Sequence, residues 1–171
     1  MREVRENRNL VRGAICLAIA AAAQLLRVAF PFIPPLASMF VIGTVVNLCL
    51  VLAVWSSSLK YAAIMSFLLP LFAYLQGAMP LVPMVGMIFL GNLVLCLVAG
   101  KARGWKLLIL GPLTKTMVLW GGTGIVADLF HFPAKVAFLL QVRMGYPQLI
   151  TAFLGILLAR LLWSRLARGR N

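Results

Sequence analysis

Charged residues are so widely spaced along this chain that the intervals between them measure out apolar helices. From Tyr61 to Gly100, between Lys60 and Lys101, run 40 consecutive uncharged residues. A membrane-crossing helix takes about 20, so this interval predicts two helices joined by a turn. Pro80-Leu81-Val82-Pro83 is the expected turn, because proline restricts its own backbone and its predecessor's. The same reading predicts six spans, near Val11–Phe30, Leu36–Trp55, Tyr61–Ala78, Leu81–Ala99, Lys106–Leu129 and Pro147–Trp163. Pro31, Pro34 and Pro35 separate the first two. The segment Phe132–Gly145 breaks the pattern. Its stretch Ala134–Leu140 is apolar but too short to cross, with Lys135 and Arg143 at its edges, and is expected to form an outer loop with a short interfacial or re-entrant helix. A seventh span there would put the two termini on opposite sides.

Composition agrees with this pattern. Of 171 residues 63% are hydrophobic and 11% charged, and the mean hydropathy is +1.03, whereas soluble domains are roughly half apolar and a quarter charged. The expected class is therefore an all-α integral membrane protein in one transmembrane domain over residues 1–171. Sixteen Lys and Arg face only three acids, for a net charge of +13. With six spans, one side collects Arg2, Arg5, Arg8, Arg12, Lys60, Lys101, Arg103, Lys106, Arg165, Arg168 and Arg170. The other side receives only Lys135 and Arg143 in its loops, with Arg27 near a helix end. The excess of cations predicts that the first side, with both termini, is cytoplasmic. Trp55, Trp105 and Trp163 fall at that same boundary, as interfacial tryptophans do. The basic charge is thus accounted for by topology and anionic lipid, which disfavours nucleic-acid binding. The start of the chain has the basic and apolar regions of a signal peptide, but Arg27-Val28-Ala29-Phe30-Pro31 runs straight into the next turn, and it is read as a retained first helix.

Few polar groups are left inside the spans. Lys115 falls near the middle of the fifth, where an ionised lysine costs ~3 kcal/mol or more and faces the bundle interior or a wet cavity. Gly111, Pro112, Leu119 and Gly122 share its face, and Gly121-Gly122-Thr123-Gly124 weakens the helix toward its outer end. Asp128 lies 13 residues further along the same helix, too far to be a partner, so a ligand carboxylate or phosphate is one counterion for Lys115; a structural lysine that snorkels or bonds backbone carbonyls is the bland alternative. Asn92 follows Gly91 in the fourth span at the depth of Lys115 and is either helix-packing glue or a contact of the same ligand. Asn47, on a face with Gly43 and Thr44, is read as helix-packing glue. Trp120 is close to Lys115 in sequence. Tyr74, Gln76 and Gln148 lie toward the outer ends, where a cavity would open, and Arg27 is either a ligand group or an interface anchor. Ala14, Ala18 and Ala22 form a series of small residues on the first helix that allows close helix approach, within the bundle, in an oligomer or with a separate partner.

The absences narrow the class further. Cys16, Cys49 and Cys96 stand apart in apolar stretches with no pairing or zinc pattern and are read as packing residues. The single histidine, His131, lies by the outer loop. No acid pair, metalloprotease motif, nucleophile elbow or Walker A loop occurs, which points away from an enzyme and from self-powered ATP-driven transport. No cofactor is implied.

The alanine-spaced first helix followed by Leu26-Arg27-Val28-Ala29-Phe30-Pro31-Phe32-Ile33-Pro34 resembles the opening of the substrate-binding S components of energy-coupling factor (ECF) vitamin transporters. Pro83 with Gly91-Asn92, and the closing Pro147-Gln148-Leu149-Ile150-Thr151-Ala152-Phe153-Leu154-Gly155, are similar to later helices of that family. The resemblance implies six short spans with both termini inside, in the plasma membrane of a prokaryote. It also implies capture of a vitamin or related micronutrient near the outer face, and uptake driven by a shared T component and two ATPases. Ala14, Ala18 and Ala22 would then be the T-component docking surface. Lys115, Asn92 and Trp120 would suit an anionic, partly aromatic micronutrient. A second reading, from a different class, is a six-span scaffold like the rod-shape-determining MreD proteins, which would use small helix faces for partner helices and need no ligand cavity.

Overall fold

A computed structural model describes residues 2–78 and 81–168. Within them the chain forms seven α-helices and no strand: α1 (Arg2–Ala29), α2 (Pro35–Ser56), α3 (Leu59–Leu75), α4 (Val82–Lys101), α5 (Gly104–Leu129), α6 (Ala134–Met144) and α7 (Tyr146–Arg168). Pro80 of the expected turn and Arg170 of the basic set lie outside the described residues. Four helical stretches are long and apolar enough to cross a membrane: Glu3–Ala29, Pro35–Ser56, Val82–Lys101, and Ala134–Arg165, which takes in α6 and most of α7. The chain is thus a helical protein of the membrane-spanning kind. The remaining long elements depart from this class for visible reasons. At 17 residues, α3 is apolar but short, and it ends before the expected Ala78, with Gln76 to Ala78 forming a turn around Gly77 at φ +69°. Helix α5 has 26 residues, but Lys115 and the glycine run dilute its apolar character.

Prolines place the helix starts. Pro35 and Pro83 occupy the first turns of α2 and α4, where a missing N–H breaks no helical bond. Pro70 and Pro112 instead lie inside α3 and α5 and are buried. The segment that broke the sequence pattern becomes α6. Its 11 residues reach about 16 Å at 1.5 Å per residue, half the ~30 Å of a bilayer core. None of them is buried, and α6 packs against α5 and α7.

Helix α2 is the central element, touching α1, α3, α4 and α7. One end of the bundle is tied by polar and aromatic contacts. Arg12 Nη1 donates to Ser56 O at 3.0 Å, and Ser57 Oγ donates to Asn9 O. Trp55 Nε1 donates to Ala99 O at 3.1 Å, while its ring meets Trp163 edge-on at 5.8 Å and carries the Arg103 guanidinium over its face at 5.1 Å. These contacts bring the first part of α1 and the last part of α7 to one end, together with the basic residues of the intervening turns.

Just inside that end, Val51, Leu95, Ala99, Leu107, Ile156 and Ala159 form a dry cluster that joins α2, α4, α5 and α7. A second cluster joins α1, α2 and α3 through Cys16, Ala20, Leu50, Met65 and Leu69. All three cysteines are buried and unpaired within this packing. The interior of the bundle nearer the basic end is therefore packed with apolar side chains, with an open groove outside it between Trp55, Arg103 and Trp163. The other half is not so packed, and the unfilled space there holds the polar groups.

Candidate functional site: a cationic cavity in the bundle

Close helix crossings position the site, and glycines permit them. A Cβ on Gly155 of α7 would lie 2.6 Å from Asn47 Cβ and 2.8 Å from the Thr44 carbonyl oxygen of α2. Gly43 of α2 in turn leaves room for the Thr151 side chain of α7. These two gaps set Asn47 beside Thr151, and Asn47 Nδ2 donates to Thr151 Oγ1 at 3.4 Å. On the far side, a Cβ on Gly91 would meet the Leu119 side chain at 2.7 Å. The gap at Gly91 lets α4 and α5 approach one turn away from Lys115 and brings Asn92 within its reach.

Lys115 Nζ donates to Asn47 Oδ1 at 2.6 Å and to Asn92 Oδ1 at 2.8 Å. The three side chains are each no more than 2% exposed. Asn47 stands 12 residues into α2 and Asn92 10 residues into α4. At 1.5 Å per residue that is about 15–18 Å from the helix starts, near the middle of a bilayer. Two amide oxygens replace part of the water an ammonium loses there; hydrogen bonds to charged groups contribute ~1.5–3 kcal/mol each, enough to offset a cost of the size expected for a central lysine. Neither oxygen carries formal charge, so the positive charge is solvated but not neutralised. An ammonium has three N–H donors, and the third is left for another acceptor.

Above this triad lies a cavity of about 150 Å³. Lys115, Asn47 and Asn92 form its floor, and Arg27, Arg143 and Gln148 line it toward the open end, with α6 contributing Leu140 and Met144 beside Arg143. Apolar side chains such as Met39, Ile42, Leu69, Met84 and Ile88 make up the walls. No acidic side chain among the described residues lines it. Among the described residues, no group of three His, Cys, Asp and Glu could hold a metal.

The structure sorts the residues singled out from the sequence. Lys115, Asn92, Gln148 and Arg27 share this one cavity. Trp120 does not: it is 54% exposed and turned outward, near Gly145. A helix advances 100° per residue, so Trp120, five residues after Lys115, lies well round the helix from it. Tyr74 and Gln76 are half-buried at the end of α3 and do not line the cavity. Asn47 was assigned by its glycine face to packing, and it does pack there, but it is also a direct partner of Lys115. Two lining residues escaped sequence reading altogether. Gln24 sits on the inward face of α1 with Cys16 and Ala20, a spacing of four that could have marked it. Arg143 was read only as a loop cation. Ala14, Ala18 and Ala22 are exposed, so the alanine series is not used for packing inside the bundle.

A polar floor, a cationic mouth and apolar walls form a site that can bind and orient a small molecule; no nucleophile and base are set together in it. No family model matches the chain, and neither curated proteins nor solved structures gave a match.

Proposed function

We propose that this protein is a six-span membrane-embedded binding subunit, with both termini cytoplasmic, that captures a small micronutrient from outside a prokaryotic cell for import. The single observation that carries this reading is the cavity whose floor is the Lys115–Asn47–Asn92 triad. A buried lysine without an acidic partner is an expense a pure scaffold has no use for, and apolar pockets with a few convergent polar groups are the usual form of ligand sites. The chain carries no nucleotide-binding motif, so the energy for uptake comes from partners. In the ECF arrangement these are a T component and two ATPases, and the protein itself is not an enzyme. The cavity opens away from the basic end, which the positive-inside rule assigns to the cytoplasm.

Gentle extraction followed by native mass spectrometry tests the reading. A reproducibly bound vitamin-like compound, released on denaturation, is the expected result. A reproducibly empty protein that co-purifies with cell-shape proteins would replace it with the scaffold reading.

The partner face has its own test. Ala14, Ala18 and Ala22 stand exposed on α1 among the exposed Val11, Ile15 and Ile19, where a flat strip lets another helix come close. Ala18→Trp is expected to leave folding and ligand retention intact and to abolish co-purification of the T component. An undiminished complex would remove this face from the interface.

A further inference from the structure

The cavity described above is a site for something, and three features of its lining specify the chemistry of the occupant. The first is charge. Arg27 and Arg143 contribute two positive charges and Lys115 a third cationic donor on the floor, and among the described residues no acid lines the cavity. Arg27 is half-buried and Arg143 exposed at the mouth, within electrostatic reach of each other, so their like charges repel across a partly solvated gap. An oxyanion between two guanidiniums removes that repulsion and satisfies their planar donor forks.

The second feature is Gln24. It is 5% exposed, and its Nε2 donates to the Leu69 carbonyl oxygen at 3.0 Å. A carbonyl only accepts, so this bond fixes which end of the amide is which. The other end, Oε1, is buried without a hydrogen-bond partner. A buried acceptor left unpaired costs about 1–3 kcal/mol. Gln24 lines the cavity, so an occupant that brings a donor to Oε1 recovers that cost. The third feature is the wall: methionines and branched aliphatic residues suit an apolar body, and with Trp120 outside the cavity no aromatic ring of that helix is there to stack on it.

We propose that the cavity takes a small amphipathic oxyanion that also carries a separate hydrogen-bond donor. Its anionic group is held by Arg27 and Arg143 at the mouth, its body lies along the apolar wall, and its hydroxyl or N–H meets Gln24 Oε1. The inference rests on reading the cavity as a ligand site.

Three probes of one shape separate the components on the purified full-length protein: 4-hydroxyphenylacetate, phenylacetate, which lacks the donor, and 4-hydroxyphenylacetamide, which lacks the charge. Binding is read by calorimetry and by thermal shift. The hydroxy acid is expected to bind at least about tenfold more tightly than either relative, the usual scale for one charged or one buried hydrogen bond. In the Arg27→Gln, Arg143→Gln double variant the preference for acid over amide should shrink by about tenfold or more, to what Lys115 alone supplies, while the preference for the hydroxyl survives. Gln24→Leu should do the reverse. Equal binding of acid and amide, an undiminished acid preference in the double variant, or no binding of any probe at millimolar concentration would overturn the proposal. The import reading fails separately. A protein that binds the hydroxy acid but recruits no energising partner keeps this inference and loses that one. A protein that recruits its partner but releases a neutral or cationic compound on denaturation keeps the import reading and loses this one.

Discussion

Lys115→Met is expected to leave the bundle folded while weakening retention of an anionic ligand by roughly tenfold, the scale of one charge acting across a partly solvated cavity. Methionine matches the length of the lysine stem and removes a charge that is expensive to bury, which offsets the loss of bonds to Asn47 and Asn92. Relief of the ~3 kcal/mol cost of the central charge offsets much of the about 1–3 kcal/mol that each asparagine oxygen loses with its partner, so the melting temperature in detergent should fall only modestly. Asn92→Asp tests the same idea with almost no change of shape. An aspartate 2.8 Å from the ammonium would neutralise the cavity floor, and retention of an anionic ligand should fall although the fold is kept. If both variants melt far below the native protein and bind ligand normally, Lys115 is a structural tie and nothing more.

Gly155→Leu is expected to abolish folding, because the space for its side chain is already occupied by backbone. A Cβ alone would stand 2.8 Å from Thr44 O and 2.9 Å from Leu48 N. Neither atom can swing aside as a side chain can, so α2 and α7 would have to separate, and with them Asn47 and Thr151. Gly155→Ala, with one methyl group, should cost about 1–3 kcal/mol, the usual range for overpacking a tight interior. Gly86 and Gly121 provide the control, since an added Cβ at either meets nothing within 4 Å. There alanine should be neutral or stabilising by up to ~1 kcal/mol, because it restricts the unfolded chain and favours the helix. Thermal melting and size-exclusion profiles of the four variants decide it; similar behaviour of Gly155→Ala and Gly121→Ala would mean that the α2–α7 crossing is looser than its geometry.

Sequence spacing and tertiary contact contributed different parts of the site. Lys115 was legible because a charge in the middle of an apolar stretch has no inexpensive explanation, and Asn92 because it shares that depth on a neighbouring helix. Arg27 and Gln148 were legible as polar residues near helix ends. Trp120 illustrates the limit: proximity along a helix is not proximity around it, and five residues put it on an outward face. Gln24 and Arg143 illustrate the opposite limit. A glutamine in an alanine-rich helix and an arginine in a loop are unremarkable alone, and they matter only because α1 and α6 converge on one cavity.

The sequence by itself determined that this is a protein of long apolar helices with most of its cations kept out of the apolar stretches, since hydropathy and charge act residue by residue and need no partner. It also determined that one lysine would have to find company inside. Only the tertiary structure decided what that company is. Two asparagine oxygens stand where a ligand carboxylate was an equally good expectation, because Gly91 and Gly155 let three helices approach closely enough to supply them. That approach is a property of pairs of surfaces distant in the chain, and no single stretch of residues encodes it.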